Sequence, residues 1–164
     1  MRALRYLYVL ALVMWLGGMF TAGLIVAPTT FGVLEGWDPA KGRMLAGQVF
    51  GAVLSRFHLV AYGAAVVMVV VLTIQRVLGP RPKSYGIRIG LLGVMLAATF
   101  YSGSVLTPEI DRLQVEVNGP MTELPETDPR RAAFDGAHRL STGLFMATFV
   151  GGLILLGWET RELA

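Results

Sequence analysis

The sequence predicts an all-α integral membrane protein, a four-helix transmembrane bundle made of two parallel helical-hairpin repeats. Three observations predict it. Hydrophobic residues make up 54% of the chain and charged residues only 15%, against about a quarter charged in a soluble domain. The mean hydropathy is +0.61. Four apolar stretches each reach the length of about 20 residues that a hydrocarbon core demands.

These stretches run over 7–28, 57–78, 89–108 and 140–158. The first follows Arg2 and Arg5, as a signal peptide would, but its apolar run is longer than a signal core; a retained helix is expected. The second ends at Gly79–Pro80. The 164 residues read as a single membrane domain, with repeat one over about 1–80 and repeat two over about 81–164.

Charge orients the spans. Arg2 and Arg5 precede the first. Arg76, Arg81, Lys83 and Arg88 lie between the second and third, with no acidic residue among them. The connection over 109–135 carries Glu109, Asp111, Glu116, Glu123, Glu126, Asp128 and Asp135 against Arg112, Arg130 and Arg131. Short basic loops stay in the cytoplasm. Both termini are therefore expected in the cytoplasm and the acidic 109–135 loop outside, as in a bacterial inner membrane.

The outer connections carry helix starts. Asp38–Pro39 and Asp128–Pro129 each set a good N-cap before a proline at the first helical position. An outer helix over about 39–50 should feed span two, and a helix from Pro129 should run into span four. Asn118–Gly119–Pro120 marks a turn.

Sliding the chain by 80 positions brings Phe20 onto Phe100, Gly23 onto Gly103, Pro28 onto Pro108, His58 onto His138 and Gly63 onto Gly143. The chain has only two histidines, and one ungapped offset pairs them. Since both hairpins enter from the same side, the repeat is parallel, with its pseudo-twofold along the membrane normal. Gly86, Gly90, Gly93 and Ala97 make a small-residue stripe at the spacing that lets helix backbones approach, and Gly17 and Gly18 suit the same work on span one.

The two histidines and two prolines fall in one layer near the outer surface. His58 stands 20 residues before Leu78, and His138 stands 20 before Trp158. Arg56, Asp135, Arg139, Glu109 and Asp111 gather in that layer. Ionisable groups at membrane depth tend to face the bundle and mark function. Three readings of the pair stand open. His58 and His138 could ligate haem b from opposite sides, with Arg56 and Arg139 holding its propionates. They could bind a metal, with Asp135, Glu109 or Met19 as further ligands. They could simply hydrogen-bond and hold helices together, with the two arginines snorkelling to lipid phosphates.

The absence of cysteine excludes disulfides, thiolate metal sites and covalently attached haem. No phosphate-binding loop, metalloprotease motif, nucleophile elbow or basic–aromatic run is present, so hydrolases, nucleotide-driven pumps and nucleic-acid binding are not expected. The functional expectations are three: a haem-linked subunit, a non-catalytic structural or assembly subunit, and a small transporter or metal-handling protein. The expected partners are the lipid bilayer and other membrane subunits or further copies of this chain.

Two segments carry a resemblance. Trp15-Leu16-Gly17-Gly18-Met19-Phe20 followed by Ala27-Pro28-Thr29, and Phe134-Asp135-Gly136-Ala137-His138-Arg139-Leu140-Ser141, resemble the transmembrane-protein-205-like family. That resemblance implies the four-span layout rather than an activity. The bundle is also distantly similar to copper-resistance-D-like and haem-binding small membrane proteins. This second similarity implies a cofactor role for His58 and His138.

Overall fold

The computed structural model describes residues 2–39, 41–78, 84–117 and 119–161. Helix α1 (Arg2–Thr21) passes through a π-helical segment (Ala22–Val26) into α2 (Ala27–Trp37), giving one rod. Helix α3 (Gly42–Leu78) returns. Helix α4 (Tyr85–Tyr101), a second π segment (Ser102–Leu106) and α5 (Thr107–Val117) form the third rod. A short helical turn at Met121–Glu123 precedes α6 (Pro129–Arg161), the fourth. All four rods are long and apolar enough to cross a membrane. At 37 residues, α3 is roughly 55 Å long, well beyond a hydrocarbon core of about 30 Å, so it also crosses the interfacial zone.

The π segments follow from the prolines. Pro28 and Pro108 lack an N–H, and their rings would strike the carbonyl one turn back in a regular helix. Widening the turn relieves the clash and keeps the neighbouring backbone groups bonded, as hydrocarbon requires. The Ala27 N–H donates to the Ala22 carbonyl, and the Thr107 N–H donates to the Ser102 carbonyl. The Thr107 hydroxyl also donates to the Ser102 carbonyl, at 3.0 Å.

The rods form a ring. Helix α1 packs on α3 and α6, and α4 packs on the same two. The core is built from Tyr8, Leu12, Trp15, Met68, Leu72, Leu92 and Leu155. Inward positions recur at a spacing of 80. Tyr8, Leu12, Trp15, Met19 and Ala22 are buried on the first rod, and Arg88, Leu92, Met95, Thr99 and Ser102 on the third. Ala61, Met68, Val71 and Leu72 on α3 stand likewise against Ser141, Thr148, Gly151 and Gly152 on α6. The π segments share this spacing.

Several boundaries differ from the sequence expectation. Helix α3 begins at Gly42 rather than Pro39: the Asp38 carboxylate caps the Lys41 N–H at 3.0 Å, and a turn precedes the helix. The outer helix and span two are one unbroken helix. Helix α6 does run from Pro129 through span four, with the Asp128 carboxylate accepting from the Arg130 N–H at 2.8 Å. Of the expected turn at 118–120, Asn118 lies outside the described residues, and a bend falls at Gly119. Arg81 and Lys83 also lie outside them.

The glycine stripe faces the other way. Gly86, Gly90, Gly93 and Ala97 are exposed, and a Cβ built on any of the three glycines meets nothing within 4 Å. Gly17 is equally open. The close approaches inside the bundle belong instead to Gly18, under the Phe57 ring, and to Gly151 and Gly152, against Met95 and Leu16. Spacing alone fixes a stripe on a helix; the direction it faces depends on where the larger apolar residues go, and Leu92 and Met95 take the inward side.

Candidate functional site

Two polar clusters lie inside the bundle. The first surrounds His58. It sits on α3, 20 residues or about 30 Å of helix from Leu78, and is 6% exposed. Its ring lies alongside that of Tyr62, with centroids 6.2 Å apart. The Tyr62 hydroxyl donates to the Thr99 carbonyl at 3.4 Å. Gly103 in the second π segment lets the third rod approach here: a Cβ on it would stand 2.8 Å from His58 Nδ1 and run into the Tyr62 hydroxyl.

Trp15 reaches the same place from α1 and is 1% exposed. Trp15 and His58 line a cavity of about 10 Å³ with Met19, Thr99, Ser102 and Thr148. Every rod contributes to it. The Thr99 hydroxyl donates to the Met95 carbonyl at 2.8 Å, and the Ser102 and Ser141 hydroxyls stand 3.2 Å apart. His58 Nδ1 and Trp15 Nε1 are both buried without a hydrogen-bond partner.

The other expected site residues lie elsewhere. His138 is exposed. Its ring stacks on that of Phe134, one turn earlier on α6, at 6.1 Å, and its carbonyl accepts from the Thr142 hydroxyl. Arg56 is exposed. Arg139 is exposed and donates to the Asp135 carbonyl at 3.3 Å. Of the further ligands considered, Met19 shares the cavity with His58, whereas Glu109 is engaged by Arg112 at 2.6 Å. Asp135 is exposed. Among the described residues no group of three or more His, Cys, Asp or Glu side chains is placed to hold a metal ion.

The second cluster lies at the end where α1 begins and α6 ends. Glu159 is 4% exposed and Arg88 is 1% exposed. The Arg88 guanidinium pairs with Glu159 Oε1. Arg5 donates from Nε to Glu159 Oε2 at 2.9 Å, and from Nη2 to the Glu159 carbonyl at 2.6 Å. The Arg88 guanidinium also lies 5.6 Å from the centroid of the Tyr8 ring. One carboxylate thus ties α1, α4 and α6 together.

This cluster was not anticipated. Arg5 and Arg88 read as topological charges in the sequence, and no local pattern singles out Glu159. The available signal was an arginine placed between Ile87 and Ile89 at the start of an apolar stretch, which needs a buried partner.

The loop end carries ion pairs of another kind. Arg112 bridges Glu109 and Glu116 along α5, and Arg130 pairs with Asp128. The hydrogen bonds from the Arg130 guanidinium and backbone N–H hold the Asp128 carboxyl down at about 2. These pairs are local along the chain, and their arginines are solvent-exposed.

The fold and its buried polar clusters define a small polytopic membrane protein with a closed four-helix bundle. The family model described as "Domain of unknown function (DUF4149)" matches residues 10–118, and the chain belongs to that family. The match includes Trp15, His58 and Arg88 and ends before His138 and Glu159. No curated protein and no solved structure matches the chain.

Proposed function

We propose that the chain is a non-catalytic helical subunit of a larger membrane assembly, and that span three presents the face that receives a helix of its partner. The observation that carries this reading is the outward seam of Gly86, Gly90, Gly93 and Ala97. Glycine in a helix costs about 1 kcal/mol relative to alanine. Three of them facing open space cost helix stability and gain no packing within this chain. In membranes such seams let a second backbone approach closely. The interior supports the same reading. Arg5, Arg88 and Glu159 engage one another, as do Ser102 and Ser141, and the cavity at His58 is far smaller than a substrate or macrocycle.

Charge supports the orientation proposed with it: both termini in the cytoplasm and the acidic 109–135 loop outside, in a bacterial inner membrane.

The chain has no cysteine, so a single introduced thiol reports contacts cleanly. With Gly90→Cys in native membranes, cross-linking should yield one defined adduct with another membrane protein, and Gly90→Leu should abolish the assembly without lowering the unfolding midpoint. A free monomer throughout would refute the reading. A self-adduct would turn it into a homo-oligomer.

A haem-linked reading keeps one observation in its favour, the buried and unpartnered Nδ1 of His58. It requires α6 to turn His138 inward. A Soret band on haem addition, lost in both His58→Ala and His138→Ala, would establish it. The metal-handling reading rests on His58 and Met19 lining one cavity; transport would further need a path wider than about 10 Å³ of space provides.

A further inference from the structure

The cavity between the four rods joins two facts that do not otherwise meet. It has room for about one solvent-sized sphere, at about 10 Å³, which is the minimum for a buried water. Its walls include two polar side chains more than nine-tenths buried, each with an unpartnered nitrogen: Trp15 Nε1 and His58 Nδ1.

The chemistry of these two atoms restricts the occupant. The indole nitrogen can only donate. A neutral imidazole with its proton on Nε2 offers Nδ1 as an acceptor. A cation would face the positive end of the indole N–H dipole. An anion would face the Nδ1 lone pair. A molecule that accepts from one and donates to the other satisfies both. The Thr99, Ser102 and Thr148 side chains on the remaining walls can accept or donate, so the occupant can reach the usual three bonds of a buried water.

We propose that this cavity is a binding site for a single water molecule, which accepts from the Trp15 indole N–H and donates to His58 Nδ1. This water links α1 to α3 and, through the hydroxyl walls, to the third and fourth rods. It fixes His58 in one tautomer. Gly103 does not line the cavity but backs the imidazole, and a side chain there would press on Nδ1.

The test is nuclear magnetic resonance on the full chain, isotope-labelled and held in lipid nanodiscs. The Trp15 indole N–H should show a cross-peak at the water frequency, and His58 Nδ1 should resonate as an unprotonated, hydrogen-bonded nitrogen. In His58→Phe the water cross-peak should be lost or strongly reduced. Should that variant fail to fold, the wild-type spectrum decides alone. The proposal falls if the indole shows no water cross-peak, if Nδ1 carries the proton, if the indole is coupled directly to Nδ1, or if elemental analysis finds one equivalent of metal held by His58.

Discussion

The two hairpins bury many of the same positions but put different chemistry on them. At a spacing of 80, Tyr8, Met19 and Ala22 of the first hairpin correspond to Arg88, Thr99 and Ser102 of the second. Ala61 and Met68 correspond to Ser141 and Thr148. The first hairpin is thus nearly apolar inside, and the second is polar. The polar groups buried in the first are the Tyr8 hydroxyl and the nitrogens of His58 and Trp15, and those two nitrogens lack partners. The correspondence fails at the histidines. Gly103 faces His58 and Tyr62, whereas Gly23 faces Phe145, seven residues past His138. Two helical turns, about 10 Å of rise, separate Phe145 from His138, the residue 80 positions after His58. A common scaffold can therefore keep one set of inward positions while only one histidine enters the core.

The strongest way to break this comparison is to remove the charge that the polar hairpin keeps inside. Glu159→Ala leaves Arg88 buried without its carboxylate, and losing one partner of a buried pair costs about 3–5 kcal/mol. The expected result is a correspondingly lower stability in reversible unfolding in bicelles. Arg88→Met combined with Glu159→Leu should recover most of that loss, because a well-packed apolar pair often matches a buried ion pair. A double variant as unstable as Glu159→Ala would mean that the cluster contributes more than charge compensation.

The histidines sharpen it next. His58→Phe takes away the acceptor of the proposed water and strands the Trp15 indole N–H, which should cost about 1–3 kcal/mol. His138→Phe alters an exposed ring already stacked on Phe134, and should stay within about 0.5 kcal/mol. Equal costs would mean that His138 also packs inward. The paired glycines give a companion measurement. Gly103→Ala drives a methyl into His58 and Tyr62, and overpacking of this kind costs about 1–3 kcal/mol. Gly23→Ala would place its Cβ at 3.5 Å from Phe145, an ordinary contact, and should be neutral or slightly stabilising.

Much of this architecture is legible in the sequence, for a physical reason. Hydrocarbon length fixes the number of spans, and Asp128–Pro129 fixes where the last helix starts. The recurring Gly-x-x-x-x-Pro pattern marked equivalent points, although only the backbone reveals that the proline there widens the helix. The rotation of each helix is not legible. Gly86, Gly90 and Gly93 are a stripe in any numbering, yet the side they face is decided by Leu92 and Met95 competing for the core. The same uncertainty of rotation hid the difference between His58 and His138. The Arg5–Glu159–Arg88 cluster joins residues 154 and 71 positions apart, a separation that no local pattern bridges.

The smallest effect concerns the caps at the loop end. Asp38 caps Lys41 in the first hairpin, while in the second Asp128 caps Arg130 and also binds its guanidinium. Those bonds hold the Asp128 carboxyl at about 2, below the ordinary value near 3.9. A depressed folded value means that the carboxylate contributes in full above the ordinary value. The contribution fades as pH falls from about 4 and is gone below about 2. The protection of the first-turn amides of α6, taken relative to their intrinsic exchange rates, should therefore hold down to about pH 4 and fall below it. Asp128→Asn keeps a competent cap but cannot titrate, so it should abolish that pH dependence without moving the global unfolding midpoint. Loss of the whole bundle over the same interval would place the acid-sensitive step elsewhere in the molecule.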